Sequence, residues 1–142
     1  MRNHFEPPPL TGGMRRKFTI TWHERTGGDI NTDLQWICHS LGLFPVRDYN
    51  SSMYRLFIEL IKDRKTNKTS SSDVLAARVG LSRGTVVHHL NKMIGSGIVI
   101  RSAEGYGLKE ENVEKLVELM RSQVDELFDE IETIARRIDE QL

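Results

Sequence analysis

Residues 70–108 read SSSDVLAARVGLSRGTVVHHLNKMIGSGIVIRSAEGYGL. The stretch predicts a helix, a tight turn, a second helix and a small β-hairpin. Ser70-Ser71-Ser72-Asp73 has the S-x-x-D form of a helix start, in which a hydroxyl caps backbone N–H groups and an acid sits in the first turn. Val74, Leu75 and Val79 give that helix an apolar face, and Ala76 and Ala77 allow a second helix to come close. Gly80 stops it, because a glycine enters the left-handed conformation at least cost. Leu81 plugs the turn into a core. Ser82 caps the second helix, whose apolar stripe is Val86, Leu90 and Met93. Gly97 ends it. Ile98 to Arg101 reads as a strand, Ala103-Glu104-Gly105 as a turn, and Tyr106-Gly107-Leu108 as the returning strand.

Ala76, the Gly80-Leu81-Ser82 turn, Thr85-Val86, His89-Leu90, Met93 and Gly97-Ile98-Val99 carry a family likeness. Their spacing resembles the winged helix-turn-helix DNA-binding proteins of the MarR and ArsR kind, including archaeal-type transcriptional regulators. The motif covers about a quarter of the chain. The resemblance implies a mainly α fold with a small β-hairpin wing. It also implies double-stranded DNA as partner.

The chain is 142 residues long, enough for one domain with a dimerising arm. Its net charge of zero hides a segregation. Residues 51–109 hold ten Lys/Arg against four Asp/Glu, hence +6. Residues 110–142 hold four against eleven, hence −7, and residues 1–50 hold six against five, hence +1. A basic centre that coincides with the motif is the electrostatic footprint expected of a nucleic-acid binder. A solvated face gives the same counts. No apolar run is long enough to span a membrane, and the start MRNHFEPPPLTGG lacks the apolar core of a signal peptide. A lone cysteine, Cys38, excludes an intramolecular disulfide framework and favours an intracellular protein, and the resemblance implies a cytoplasmic, nucleoid-associated location.

Four segments follow: a flexible start (1–14), a strand and helix extension (15–49), the DNA-binding domain (50–109) and a tail helix (110–142). Arg15-Arg16-Lys17 reads either as a basic arm for DNA or as a solvated strand edge. Phe18, Ile20 and Trp22 alternate with polar residues, the pattern of a half-buried strand. Ile30 to Leu41 reads as a helix buried along Leu34, Ile37, Cys38 and Leu41 and closed by Gly42. Cys38 and His39 diverge on that helix, and His4 and His23 lack companions at ligand spacing, so Cys38 reads as structural and no metal or other cofactor is expected. Asn50 or Ser51 can cap a further helix, Ser52 to Lys62, buried along Met53, Leu56, Phe57, Leu60 and Ile61. The connector Asp63 to Thr69 is basic and suits phosphate contact or simple exposure. Trp22, Trp36 and Phe44 read as core, with a ligand pocket against the tail as the alternative.

In the tail, Val117, Met120, Val124, Leu127, Ile131, Ile134 and Ile138 recur in steps of three and four, a strict heptad seam. A helix of about thirty residues is ~45 Å long and outreaches a small domain. Pairing with a second copy is therefore favoured over folding back. Leu116, Phe128, Ala135 and Leu142 widen the stripe beyond a two-helix seam.

The major groove of DNA admits one α-helix, whose side chains read the bases. Opposite the stripe of Val86, Leu90 and Met93 lie Gly84, His88 and Asn91, flanked by Thr85 and Lys92. Arg83, Thr85 and His88 are the candidates for base contact, with Gly84 allowing close approach. Ser82, Asn91 and Lys92 are the candidates for phosphate. His88 would raise DNA affinity as pH falls, and the resemblance implies a packed, structural His89. It also implies a basic wing tip. Here Arg101 is the one good candidate, Tyr106 could lie against the sugar-phosphate backbone, and Glu104 is repelled by it. The expected function is thus sequence-specific DNA binding by a homodimeric transcriptional regulator. The alternatives are a nucleoid-associated protein of low specificity and a winged helix used for protein contacts. No nucleophile–base spacing, metal cluster or phosphate-cradling glycine loop points to an enzyme.

Overall fold

A computed structural model of the protein describes residues 20–22, 24–25, 27–42 and 52–142. These residues form α1 (Ile30–Ser40), α2 (Ser52–Lys65), α3 (Ser72–Val79), α4 (Arg83–Gly95), the strands β1 (Val99–Ser102) and β2 (Gly105–Leu108), and α5 (Val113–Gln141). The architecture is mainly helical, with one two-stranded antiparallel hairpin and a long C-terminal helix.

Asp29 starts α1 by accepting the backbone N–H and the hydroxyl of Thr32, each at 2.9 Å. The Thr32 N–H holds the Asp29 carboxyl below its ordinary pKa. Cys38 is fully buried against the core, and burial pushes its thiol up to about 12. Its sulfur is therefore a neutral packing atom at physiological pH. Tyr54 ties α2 to α1, its hydroxyl donating to Asn31 Oδ1 at 3.0 Å. The strand expected around Phe18 to Trp22 does not form at residues 20–22, and Trp22 is 95% exposed. A strand needs a neighbouring edge for its backbone groups. Here the backbone N–H of Thr21 reaches the end of α1 instead, at Ser40 O, 3.0 Å away. Phe18, the Arg15-Arg16-Lys17 arm and the caps Asn50 and Ser51 lie outside the described residues.

α2 is the central helix. Met53, Leu56, Phe57 and Leu60 are buried, in the three-and-four spacing of one face. The helix runs one turn past the expected Lys62, and that turn carries the buried Asp63. Asp63 Oδ1 accepts from the Arg78 guanidinium of α3 at 2.7 Å, and Oδ2 accepts from the Ser70 hydroxyl at 2.6 Å. One carboxylate thus joins α2, α3 and the approach to the hairpin. Ser70 is not the α3 cap. Its backbone pairs with Tyr106 in an isolated bridge, which adds a third edge to the hairpin. The cap is Ser71, whose hydroxyl accepts from Val74 N at 3.2 Å.

The buried face of α3 is Ser72, Leu75, Ala76 and Val79, and Val74, expected inside, is 44% exposed because it falls off that spacing. Gly80 (φ 67°) ends α3 in the left-handed region. Arg55 covers its last turn by donating to Val79 O at 2.8 Å. Ser82 caps α4, and Val86, Leu90 and Met93 are its buried stripe, as the periodicity requires. His89 faces α2, with Nε2 2.9 Å from the Ser52 hydroxyl. In the hairpin, Val99 pairs with Leu108 and Arg101 with Tyr106. Gly105 (φ 141°) has no room for a side chain: a Cβ would stand 2.6 Å from the Ser70 backbone.

α5 begins at Val113 under an Asn112 cap, three residues later than expected. Its first two turns close the core through Leu116 and Met120. Beyond residue 124 every residue of the helix is exposed. No helix of the described residues is long and apolar enough to cross a membrane.

Candidate nucleic-acid interface

The outer face of α4 carries the residues singled out for DNA. The Ser82 hydroxyl accepts from Thr85 N at 3.2 Å and lies 2.8 Å from the Thr85 hydroxyl. Both hydroxyls are thus partly engaged in the cap, and Thr85 is half-buried. Arg83, Gly84, His88, Asn91 and Lys92 are exposed on one continuous surface. No acidic residue interrupts α4. A Cβ at Gly84 would meet nothing within 4 Å, so packing does not require glycine there.

Arg83 is not solvated alone. Its Nε stands 3.4 Å from Asp73 Oδ1 at the start of α3, with both side chains largely exposed. The pair lies in open water and holds Arg83 weakly. The resemblance and the helical wheel both missed Asp73, because it sits on a different helix. Arg83 and Arg101 line opposite sides of a cleft of about 340 Å³ between α4 and the hairpin, shared with Asp73 and Glu104.

The hairpin corrects one expectation. Tyr106 is only 6% exposed, so it cannot lie along a sugar-phosphate backbone. Opposite residues of an antiparallel pair share a face. That face is turned inward at Tyr106 and Leu108, and the longer Arg101 leans back over the Tyr106 ring, 5.6 Å from its centroid. The tyrosine thereby becomes the platform for the one exposed cation of the hairpin.

The basic block divides in the same way. Arg55, Arg64 and Arg78 are bound to the fold, by Val79 O, Glu110 O at 3.1 Å and Asp63 respectively. Lys65, Lys68, Lys92 and Lys109 are exposed, with no ion pair among the described residues.

The heptad seam also divides. Met120 is buried in the protein's own core and Val117 is half-buried, so Met120 is not a residue of a second interface. Val124 is half-buried, whereas Leu127, Ile131, Ile134 and Ile138 are 43–50% exposed. A separate cleft of about 610 Å³ lies beside Trp22 and Trp36, lined also by Ile20 and Arg25. No tail residue lines it, and Phe44 lies outside the described residues. Among the described residues no group of three or more His, Cys, Asp or Glu could hold a metal ion. No protein-family model, curated protein or solved structure matches the chain.

Proposed function

We propose that residues 52–108 form a winged helix-turn-helix and that the protein binds double-stranded DNA as a homodimeric transcriptional regulator, acting in the cytoplasm on the nucleoid. The observation that carries this reading is the face of α4. It is exposed and rich in donors, from Arg83 through His88 and Asn91 to Lys92, and α4 contributes no acid to it, the nearest being Asp73 of α3 beside Arg83. Its opposite face is locked in the core, so the helix presents this surface rigidly. A hairpin with Arg101 stands beside it. A helix with one bare polar face fits the major groove, and a neighbouring hairpin reaches the flanking backbone.

The test is binding to a selected DNA site and to random DNA across a salt series. Arg83→Ala is expected to cost roughly 1–3 kcal/mol at the selected site and to relax preference at one base pair per half-site. Lys92→Ala is expected to weaken all sequences alike and to lower the salt slope by about one for each phosphate that is no longer neutralised.

One set of observations favours the second reading, a nucleoid protein of low sequence preference. The Thr85 hydroxyl is engaged by Ser82, Arg83 is paired with Asp73, and Tyr106 is inside. That leaves few side chains to read bases. Equal losses on both DNAs for both variants would select it. No loss for either would place the helix against a protein instead.

A further inference from the structure

We propose that residues 124–141 of α5 pair antiparallel with the same segment of a second copy of the chain. The proposal rests on the homodimer reading above and adds the direction, register and spacing of the pair.

Arg121–Gln141 projects beyond the last core residue, Met120, by about 32 Å. Most helical stability in proteins comes from packing of an amphipathic face rather than from propensity. Yet it carries Leu127, Phe128, Ile131, Ile134 and Ile138 uncovered, 43–61% exposed. The stripe is bounded by the half-buried Val124 and by Gln141, which takes the next seam position.

The seam Leu127, Ile131, Ile134, Ile138 advances by four, three and four residues. That spacing reads the same in both directions. A two-fold axis between Glu132 and Thr133 therefore lays Leu127 against Ile138 of the other copy, and Ile131 against Ile134. Each of these four side chains meets another apolar side chain, and Val124 lies against Gln141 at either end of the pair.

The flanks choose between the two directions. One flank of the seam is Gln123, Glu130 and Arg137; the other is Arg121, Phe128, Ala135 and Leu142. An antiparallel pair brings like flanks together. In the register above, Glu130 faces Arg137 of the other copy, two ion pairs by symmetry, while Phe128 faces Ala135 and Arg121 reaches Leu142 at the frayed end. A parallel pair sets unlike flanks together, so Glu130 lies beside Ala135 and Arg137 beside Leu142. That arrangement gives no ion pair and brings charged side chains against apolar ones. Among the described residues neither Glu130 nor Arg137 has an ion-pair partner in its own chain, whereas Arg136 on the outer face is paired with Glu132 at 3.3 Å.

The register also sets a distance. Met120, where each tail leaves its body, lies 12.5 residues from the axis, so the two anchor points stand about 38 Å apart along the helices. Successive major grooves on one face of DNA are separated by roughly 34–36 Å.

The test uses the full-length chain carrying Glu118→Cys, spin-labelled at the new thiol; Cys38 is buried and does not compete. Sedimentation gives the oligomeric state, and pulsed electron resonance gives the label separation. A dimer with labels about 45 Å apart is expected, because residue 118 and its symmetry mate differ by 29 residue rises. A dimer with labels within about 20 Å would mean a parallel pair at a normal interhelical distance, overturning this proposal and leaving the homodimer reading standing. A monomer would overturn both. In a second measurement, Glu130→Arg is expected to raise the dimer dissociation constant roughly tenfold. Adding Arg137→Glu should restore it. No effect of the first change, or no rescue by the second, would overturn the register.

Discussion

Gly84 is the residue whose identity the fold does not explain. It stands in the first turn of α4, exposed, with open space where a Cβ would be. Glycine in a helix is less favourable than alanine by about 0.5–1 kcal/mol. Gly84→Ala is therefore expected to raise stability by up to that amount in urea unfolding. If the bare backbone admits DNA, the same change should weaken binding by ~1–2 kcal/mol through the added methyl group. A gain in stability with unchanged DNA affinity would remove close approach as the reason for the glycine. Asp63 is the opposite case, a residue whose neighbours account for it fully. Its two oxygens fix Arg78 and Ser70, and through Ser70 they fix the hairpin.

At the scale of the element, the hairpin depends on a close approach more than on its own two strands. Two-stranded hairpins are marginal alone. Ser70 supplies a further edge by donating to Tyr106 O at 3.3 Å and accepting from Tyr106 N at 2.8 Å. Gly105 makes that approach possible, both by its φ of 141° and by its missing side chain. Gly105→Ala is expected to destabilise the protein by about 1–3 kcal/mol. Backbone amide exchange should accelerate in Tyr106 before it does in α2. Uniform acceleration across α2 and the hairpin would mean that the hairpin does not open separately.

At the scale of the whole molecule, charge and apolar surface are sorted along the chain. The basic face of α4 belongs to the body, and the acidic block belongs to a helix that leaves it. If the body binds DNA as proposed, a dimer of such molecules would hold two binding modules on one tether. Joining two binding modules raises overall affinity by about 10²–10⁴-fold when both can engage. Leu127→Asp together with Ile131→Asp is expected to give a folded monomer, because both side chains lie outside the core. Its affinity for a palindromic site should fall by a factor in that range, while binding to a single half-site is retained. A folded double variant that remains dimeric would take the tail out of the interface.

What the sequence determined by itself was local. Ser82, Gly80 and Gly97 mark helix boundaries, and Val86, Leu90 and Met93 mark a buried face, because caps, left-handed stops and helical periodicity act within a few residues of the chain. The exposed face of α4, and with it most of the candidate site, follows from that periodicity alone. What only the tertiary structure decided was which neighbour covers which surface. The glycines on either side of Tyr106 leave no alternation from which its inward direction could be read. Ser70 and Ser71 are chemically equivalent as caps, and the choice between them was made by Asp63 and Tyr106, 7 and 36 residues away. Asp73 meets Arg83 because α3 and α4 pack, not because of any shared periodicity. Likewise the tail reads as one unbroken seam, yet Met120 is used up by the body while Ile131 is left outside. Periodicity tells that a face is apolar. Only the position of the rest of the chain determines whether that face is already covered.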